Sequence, residues 1–288
     1  MATSLRELLK SPKRLASAGV YDCLSARAVE LAGLDVASVS GAAVTASRLG
    51  YPDVGLQTFP EVLATVARVA ESITIPVVVD ADTGYGNALN AVRAAHAFEA
   101  AGLAGMMVED QTFPKRCGHF EGKSVVPREE MVAKISALCA GRRSDEFIIV
   151  GRTDARAVNG LEDAIERACL YVEAGADMIF VESLLSADEM REVCRRIPAA
   201  VRANMGEGGK TPMIAMGDLF EYGFKLVNYS GTLQRTGIRS MQKALRNLDV
   251  ATREAVDFSI DQILSGPAWQ GITAAASAAS VGPGRTAA

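Results

Sequence analysis

The chain has only two histidines, His96 and His119, among 288 residues. That scarcity excludes a histidine-built zinc site and leaves oxygen as the donor for any bound metal. Five cysteines, Cys23, Cys117, Cys139, Cys169 and Cys194, are odd in number, widely spaced and without a CxxC pair. A disulfide framework and a structural zinc site are therefore excluded, and a reducing, cytoplasmic setting is expected. No run of about twenty apolar residues is present, and the opening MATSLRELLKSPKRL has no apolar signal core. Net charge is only −4 and is spread along the chain, so neither nucleic acid nor a membrane is expected as partner. A glycine-rich nucleotide-binding turn is missing after the first predicted strand, which runs into YDCLSAR.

What is present is alternation. Short β-rich apolar runs predict strands at 18–21, 36–40, 75–80, 104–109, 147–152, 177–182, 200–204 and 226–229. Amphipathic stretches at 60–71, 88–101, 128–140, 161–174, 187–196 and 235–247 predict helices between or after them. ELAGLDV, EAAGLAG and EAGADM each place a glycine just past a helix end, as a C′ residue does. Eight such alternations without a linker predict an α/β fold, a single (β/α)8 TIM-type barrel over residues 1–250. A doubly wound open sheet is the alternative. Residues 251–273 are expected to form a C-terminal helical extension, and the Ala/Ser/Gly-rich 274–288 a disordered tail.

In a barrel, chemistry sits at the C-terminal ends of the strands. Those predicted ends carry Tyr21–Asp22, Ser40–Gly41, Asp80–Ala81–Asp82, Glu109–Asp110, Arg152, Glu182, Asn204 and Tyr229–Ser230. Polar groups at all eight ends are a costly way to finish a barrel that binds nothing. Asp80, Asp82 and Glu109 make an oxygen-only cluster that suits Mg²⁺, with Mn²⁺ as the alternative. DTGYGN follows, with glycines that let the backbone pass near a bound ion or substrate. Arg152 and Arg235 are candidates to grip a carboxylate. No lysine falls at a strand end, so a Schiff-base mechanism lacks its nucleophile. FPKRCGHFEGK, residues 113–123, surrounds Cys117 with Lys115, Arg116, His119 and Lys123, with Gly118 and Gly122 as hinges. Nearby cations favour the thiolate, so such a cysteine can exchange a proton near neutral pH. The glycines suit a lid over the metal site. The other four cysteines lie on predicted helices and are read as packing residues.

VYDCLSA, SVSG, LGYPDVG, DADTGYGN, VEDQTFPKRCGH, GRTDA, FVES and ANMGEGGKTP, in this order, resemble the isocitrate lyase/phosphoenolpyruvate mutase superfamily from about residue 5 to about 250. The resemblance implies a (β/α)8 barrel whose C-terminal helix is swapped between subunits of a homotetramer. It implies Mg²⁺ held most directly by Asp82, with Asp80 and Glu109 assisting. Ser40, Gly41 and Ala42 would hold the 2-oxo or 2-hydroxy carboxylate end of a small dicarboxylate. Arg152 would reach its oxygen, Glu182, Asn204 and Arg235 would face its other half, and Asp53 would close nearby. Lys115, Arg116, Cys117, Gly118 and His119 match the gating loop of the carbon–carbon lyases, with Cys117 as general acid. Tyr21 matches a tyrosine in the deprotonation step.

The implied activity is Mg²⁺-dependent carbon–carbon cleavage of a 2-hydroxy or hydrated 2-oxo dicarboxylate, releasing a 2-oxo acid or oxalate and a carboxylic acid. Superfamily members with the KRCGH loop include 2-methylisocitrate lyases, 2,3-dimethylmalate lyases, oxaloacetate acetylhydrolases and carboxyphosphonoenolpyruvate mutases. No Arg or Lys lies between Arg253 and Arg285, where methylisocitrate lyases carry an arginine for a third carboxylate, so a dicarboxylate is favoured. Ser230 replaces a proline common among the lyases and resembles the oxaloacetate acetylhydrolases. HFEGK reads more like the dimethylmalate lyase and carboxyphosphonoenolpyruvate mutase loops. Oxaloacetate hydrolysis or decarboxylation, and phosphonomutase chemistry, stand as alternatives.

Overall fold

The computed structural model describes residues 3–249 apart from His119, together with Pro267, Gln270, Gly271 and Ala274. The helical extension and tail expected over 251–288 thus lie, but for those four residues, outside the described residues. In chain order the elements are α1 (Leu5–Lys10), β1 (Leu15–Val20), α2 (Cys23–Leu31), β2 (Val36–Val39), α3 (Gly41–Leu49), α4 (Phe59–Ser72), β3 (Val77–Asp80) and α5 (Ala88–Ala100). There follow β4 (Gly105–Glu109), α6 (Arg128–Gly141), β5 (Ile148–Thr153), α7 (Ala155–Val158), α8 (Leu161–Glu173), β6 (Met178–Val181), α9 (Ala187–Arg196), β7 (Ala200–Asn204), α10 (Met216–Tyr222), β8 (Leu226–Tyr229) and α11 (Thr232–Arg246).

Each strand pairs in parallel with the next, and β8 returns to β1. This closes the eight-stranded barrel and rules out the open sheet. The strands form because β-branched runs such as VVVD in β3 and IIVGRT in β5 are buried on both faces. The helices take their polarity from their ends. In α4, Thr58 and Glu61 make a capping box around Pro60. In α9, acids occupy the first turn and Arg195 and Arg196 the last. The strand–helix layer buries one large core, and the barrel lumen holds a second. The lumen core includes Leu15, Val36, Val78, Met107, Val150, Phe180 and Leu226, with Leu5 of α1 packed in the same cluster.

The alternation of strand side chains then fixes the upper rim. Two residues beyond the lumen residues stand Asp80, Glu109, Arg152 and Glu182. The same parity brings Ser40, Asn204 and Ser230 to the rim of β2, β7 and β8. One expected strand was misplaced: β1 begins at Leu15, because the small residues of LASAGV fit the crowded lumen, and it stops at Val20, short of Tyr21. Gly19 is required there, since a Cβ would lie 2.1 Å from the Ser230 carbonyl oxygen. Short helices α1, α3, α7 and α10 were not predicted; their brief or alanine-rich sequences show no long apolar stripe. No helix among the described residues is long and apolar enough to cross a membrane.

Candidate active site

Asp80 ends β3 and points inward, but Asp82 lies beyond the strand, in a turn where its φ is 48°. The two carboxylates therefore converge through a left-handed turn and not along one face of the strand. A Cβ on Gly41 would lie 3.1 Å from Asp80 Oδ2 and 3.6 Å from Asp82 Oδ1, so both acids hang over the start of α3. Ser40 caps that helix, its hydroxyl accepting the Ala43 N–H. Gly41 and Ala42 occupy its first turn, where N–H groups favour an anion. The glycines of DTGYGN pack closely on α5. A side chain at Gly84 would strike Ala91 on α5 at 2.9 Å, and one at Gly86 would strike Asn90.

Glu109 is 1% exposed, and neither carboxylate oxygen accepts a hydrogen bond. Burial holds its pKa well above the usual carboxylate range, although Arg152 opposes this. Asp82 is likewise pushed up to about 6 by burial and by the charges of Asp80 and Asp53, against the pull of Lys115. Arg152 faces three acids: Glu109 Oε2 at 3.2 Å, Asp154 Oδ2 at 2.9 Å and Glu182 Oε2 at 3.2 Å. Their charges outweigh the effect of burial and raise its pKa. Asn204 accepts a hydrogen bond from Asn228 Nδ2 at 2.9 Å. A small cavity of about 50 Å³ is lined by Ser40, Asp80, Arg152, Asn204 and Ser230, with Arg202 and Asn228 beneath. A larger one, about 540 Å³, lies beside the flap and includes none of these groups.

Gln111 and Val125 form an antiparallel bridge, and Thr112 N–H donates to Ser124 O at 2.9 Å. The intervening segment is thus a flap rooted at two points. Its cations answer different partners. Lys115 is buried, bonded to Asp53 and 2.6 Å from Asp82 Oδ1, a contact off hydrogen-bonding geometry. Burial alone would lower the Lys115 pKa, but Asp82, Glu109 and Asp53 hold it well above normal. Arg116 is exposed and donates to Glu121 O at 3.2 Å. Lys123 Nζ is 2.6 Å from Asp154 Oδ1. The positive charge also anchors the flap to the barrel. Cys117 N–H donates to Asp53 O at 3.0 Å, which sets this half-buried residue beside the acids. Gly118 lies on Glu182 so closely that a Cβ would meet Oε2 at 2.4 Å. His119 lies outside the described residues.

Two other expected residues stand apart. The Tyr21 hydroxyl abuts α11, 3.6 Å from where a Gly237 Cβ would lie, and burial and the Asp22 charge raise its pKa. Arg235 is exposed beside Gly208 and Gly231. Residues unmarked as site members are Lys123, Asp110, Asp154 and Arg202. Arg202 is buried, and burial lowers its pKa to about 10. A charged residue inside an apolar strand, two places before Asn204, was the available signal. The other cysteines lie on helices; burial pushes Cys139 to about 11 and Cys194 to about 12.

The oxygen set fits a hard divalent cation. Neither buried Glu109 oxygen accepts a hydrogen bond, and among the described residues six carboxylates, Asp53, Asp80, Asp82, Glu109, Asp154 and Glu182, face the cations Lys115, Lys123, Arg152 and Arg202. Among the described residues no group of three or more acidic, histidine or cysteine side chains is placed to hold a metal ion. Magnesium tolerates that, since it keeps waters and few protein ligands.

The family model described as phosphoenolpyruvate phosphomutase matches residues 5–249. The chain is 42% identical to 2,3-dimethylmalate lyase of Eubacterium barkeri, over 79% of each chain. It is 44% identical to 2-methylisocitrate lyase of Aeropyrum pernix, over 85% of this chain and 78% of the relative. A structure of oxaloacetate acetylhydrolase with the inhibitor 3,3-difluorooxalacetate superposes with a TM-score of 0.88 at 30% identity, over 97% of both chains. A phosphonopyruvate hydrolase complex with oxalate and Mg²⁺ superposes at 0.79 and 26% identity, over 96% of both chains.

Proposed function

The chain belongs to the phosphoenolpyruvate phosphomutase family, and on that premise we propose that it is a Mg²⁺-dependent carbon–carbon lyase acting on a small 2-hydroxy dicarboxylate. The observation that supports this reading is the flap packed on the barrel mouth, where Cys117 N–H donates to Asp53 O and Gly118 rests on Glu182. The family comprises carbon–carbon lyases and phosphomutases, and in the lyase reading the flap thiol supplies the proton that carbon–carbon cleavage needs.

Asp82, with Asp80 and Glu109 as further oxygen donors, would hold the divalent cation, which when bound supplies stabilisation of developing negative charge. Arg152 and the first-turn N–H groups of Gly41 and Ala42 bind and orient the substrate's oxygens. Asn204 and Glu182 face the remaining part, and Arg235 guards the rim. The substrate's hydroxyl proton passes to a carboxylate, with Tyr21 holding its own proton. The carbon–carbon bond breaks, leaving a 2-oxo acid and a carbanion on the departing carboxylate fragment. Cys117 Sγ delivers a proton to that carbon, and the closed flap excludes competing water. Lys115 orients Asp53 and Asp82; Arg116 holds the flap's shape.

Ser230 supports a second reading. It lines the same cavity as Arg152 and Asn204, where its hydroxyl would bind the hydrated ketone of oxaloacetate. Association into a homotetramer is supported by α11 and the residues just past it, where Ile238, Met241, Leu245 and Leu248 form an exposed apolar stripe at helical spacing.

The deciding experiment is proton NMR of products with Mg²⁺ and, separately, oxaloacetate, 2-methylisocitrate and 2,3-dimethylmalate. A 2-oxo acid with a carboxylic acid from a 2-hydroxy substrate is the expected result, and Cys117→Ala should abolish it. Acetate and oxalate from oxaloacetate would establish the second reading. No carbon–carbon cleavage of any substrate would overturn both.

A further inference from the structure

Lys123 carries a side chain only 2% exposed, although its neighbours Glu121, Gly122 and Ser124 are exposed. A flap lysine buried at this cost must be paired. Its ammonium donates to Asp154 Oδ1 and to Gly118 O, both at 2.6 Å. Gly118 O also accepts the Ser183 hydroxyl at 3.0 Å, from a residue held at φ 63°. One nitrogen thus ties both limbs of the flap to the barrel.

Asp154 is not a passive anchor. Its Oδ2 accepts from Arg152 Nε at 2.9 Å and its Oδ1 from Arg152 Nη2 at 3.2 Å. Lys123 and Arg152 therefore share one carboxylate. Asp110 fixes that carboxylate in place. Its Oδ1 accepts the Asp154 N–H at 2.8 Å, while Oδ2 accepts Thr153 and Tyr171 hydroxyls, each at 2.7 Å. Asp110 O accepts the Val126 N–H at the flap's root, and Arg167 donates to Val126 O at 2.8 Å.

We propose that Lys123 is a positioning residue that latches the flap shut through Asp154 and thereby sets the grip of Arg152 on its ligand. With the flap closed, Lys123 neutralises part of Asp154, and Arg152 keeps charge for a ligand. With the flap open, Asp154 acts on Arg152 alone and competes with the ligand for the guanidinium. Closure and ligand binding are therefore coupled, and each strengthens the other.

The coupling to ligand rests on the lyase reading; the latch does not. Two measurements separate them. Hydrogen exchange of ligand-free Lys123→Met should show the Cys117 and Phe120 amides exchanging at least tenfold faster, with α6 and β5 unchanged as a check on folding. Ser183→Ala, which leaves the ion pair intact, should give a smaller increase. Oxalate binding with Mg²⁺ should weaken about tenfold in Lys123→Met, with Lys123→Arg restoring part of it, and the effect should largely vanish in an Asp154→Asn background. Unchanged flap exchange in Lys123→Met would overturn the latch. Faster exchange with unaltered oxalate affinity would overturn the coupling to Arg152. Wild-type protein that binds no oxalate would count against the lyase reading, and exchange alone would then decide the latch.

Discussion

Gly118→Ala tests the closed flap most directly. The added methyl would sit 2.4 Å from Glu182 Oε2 and 2.5 Å from its carboxyl carbon. Glu182 is 4% exposed and 3.2 Å from Arg152, so it has little room to yield. Pushing it away would break a buried ion pair, which costs about 3–5 kcal/mol. The alternative is a flap that stays open and forfeits its seal. Taking about 3 kcal/mol as the lower end, kcat/KM should fall about 10²-fold. The flap is a surface segment outside both hydrophobic cores, so the melting temperature should stay near wild type. The assay pairs steady-state cleavage of the substrate identified by NMR with thermal unfolding. Near-wild-type kcat/KM would show that closure onto Glu182 does not accompany turnover. A large drop in melting temperature would show instead that Gly118 serves the fold.

Asp82→Ala should lose at least tenfold in Mg²⁺-dependent oxalate affinity by calorimetry; undiminished affinity would refute the metal assignment. Native protein at pH 8 should resist alkylation at Cys139 and Cys194, because burial raises both thiols to about 11 and about 12. Mass spectrometry after brief iodoacetamide treatment reads this, and rapid labelling of either would contradict it. For stability the sign follows: these raised thiols contribute fully below the unfolded value of about 8.5, and the contribution is lost as pH rises through 11 to 12. Met241→Glu with Leu245→Glu should lower the mass in light scattering if α11 joins copies of the chain; an unaltered mass would exclude that face.

The barrel was legible because its strands are short apolar runs that end in a polar residue, and because helices end in glycine. Asp80, Glu109, Arg152, Glu182 and Asn204 stand where that rule put them. Asp82 reached its neighbour by a turn that strand periodicity does not encode. Arg202 and Asn228 were hidden inside apolar strands. Asp154 and Lys123 lie 31 residues apart, and Asp110 and Asp154 44; sequence distance says nothing of such pairs until the barrel closes.

The basic flap shows how neighbours in sequence take different partners. In an irregular, extended segment, consecutive side chains need not share a direction. Lys115 turns inward to Asp53 and Asp82, Arg116 turns out to solvent, and Lys123 returns to Asp154. Two of the four cations that face the six site carboxylates therefore belong to the flap. Closed, it sets these two lysines against site carboxylates as well as excluding water. In a site with surplus negative charge, that arrangement favours an anionic ligand only when the flap is down. The positive charge around Cys117 is thus explained by what it holds: the lysines build the electrostatic half of the closed site, and the thiol is carried into it.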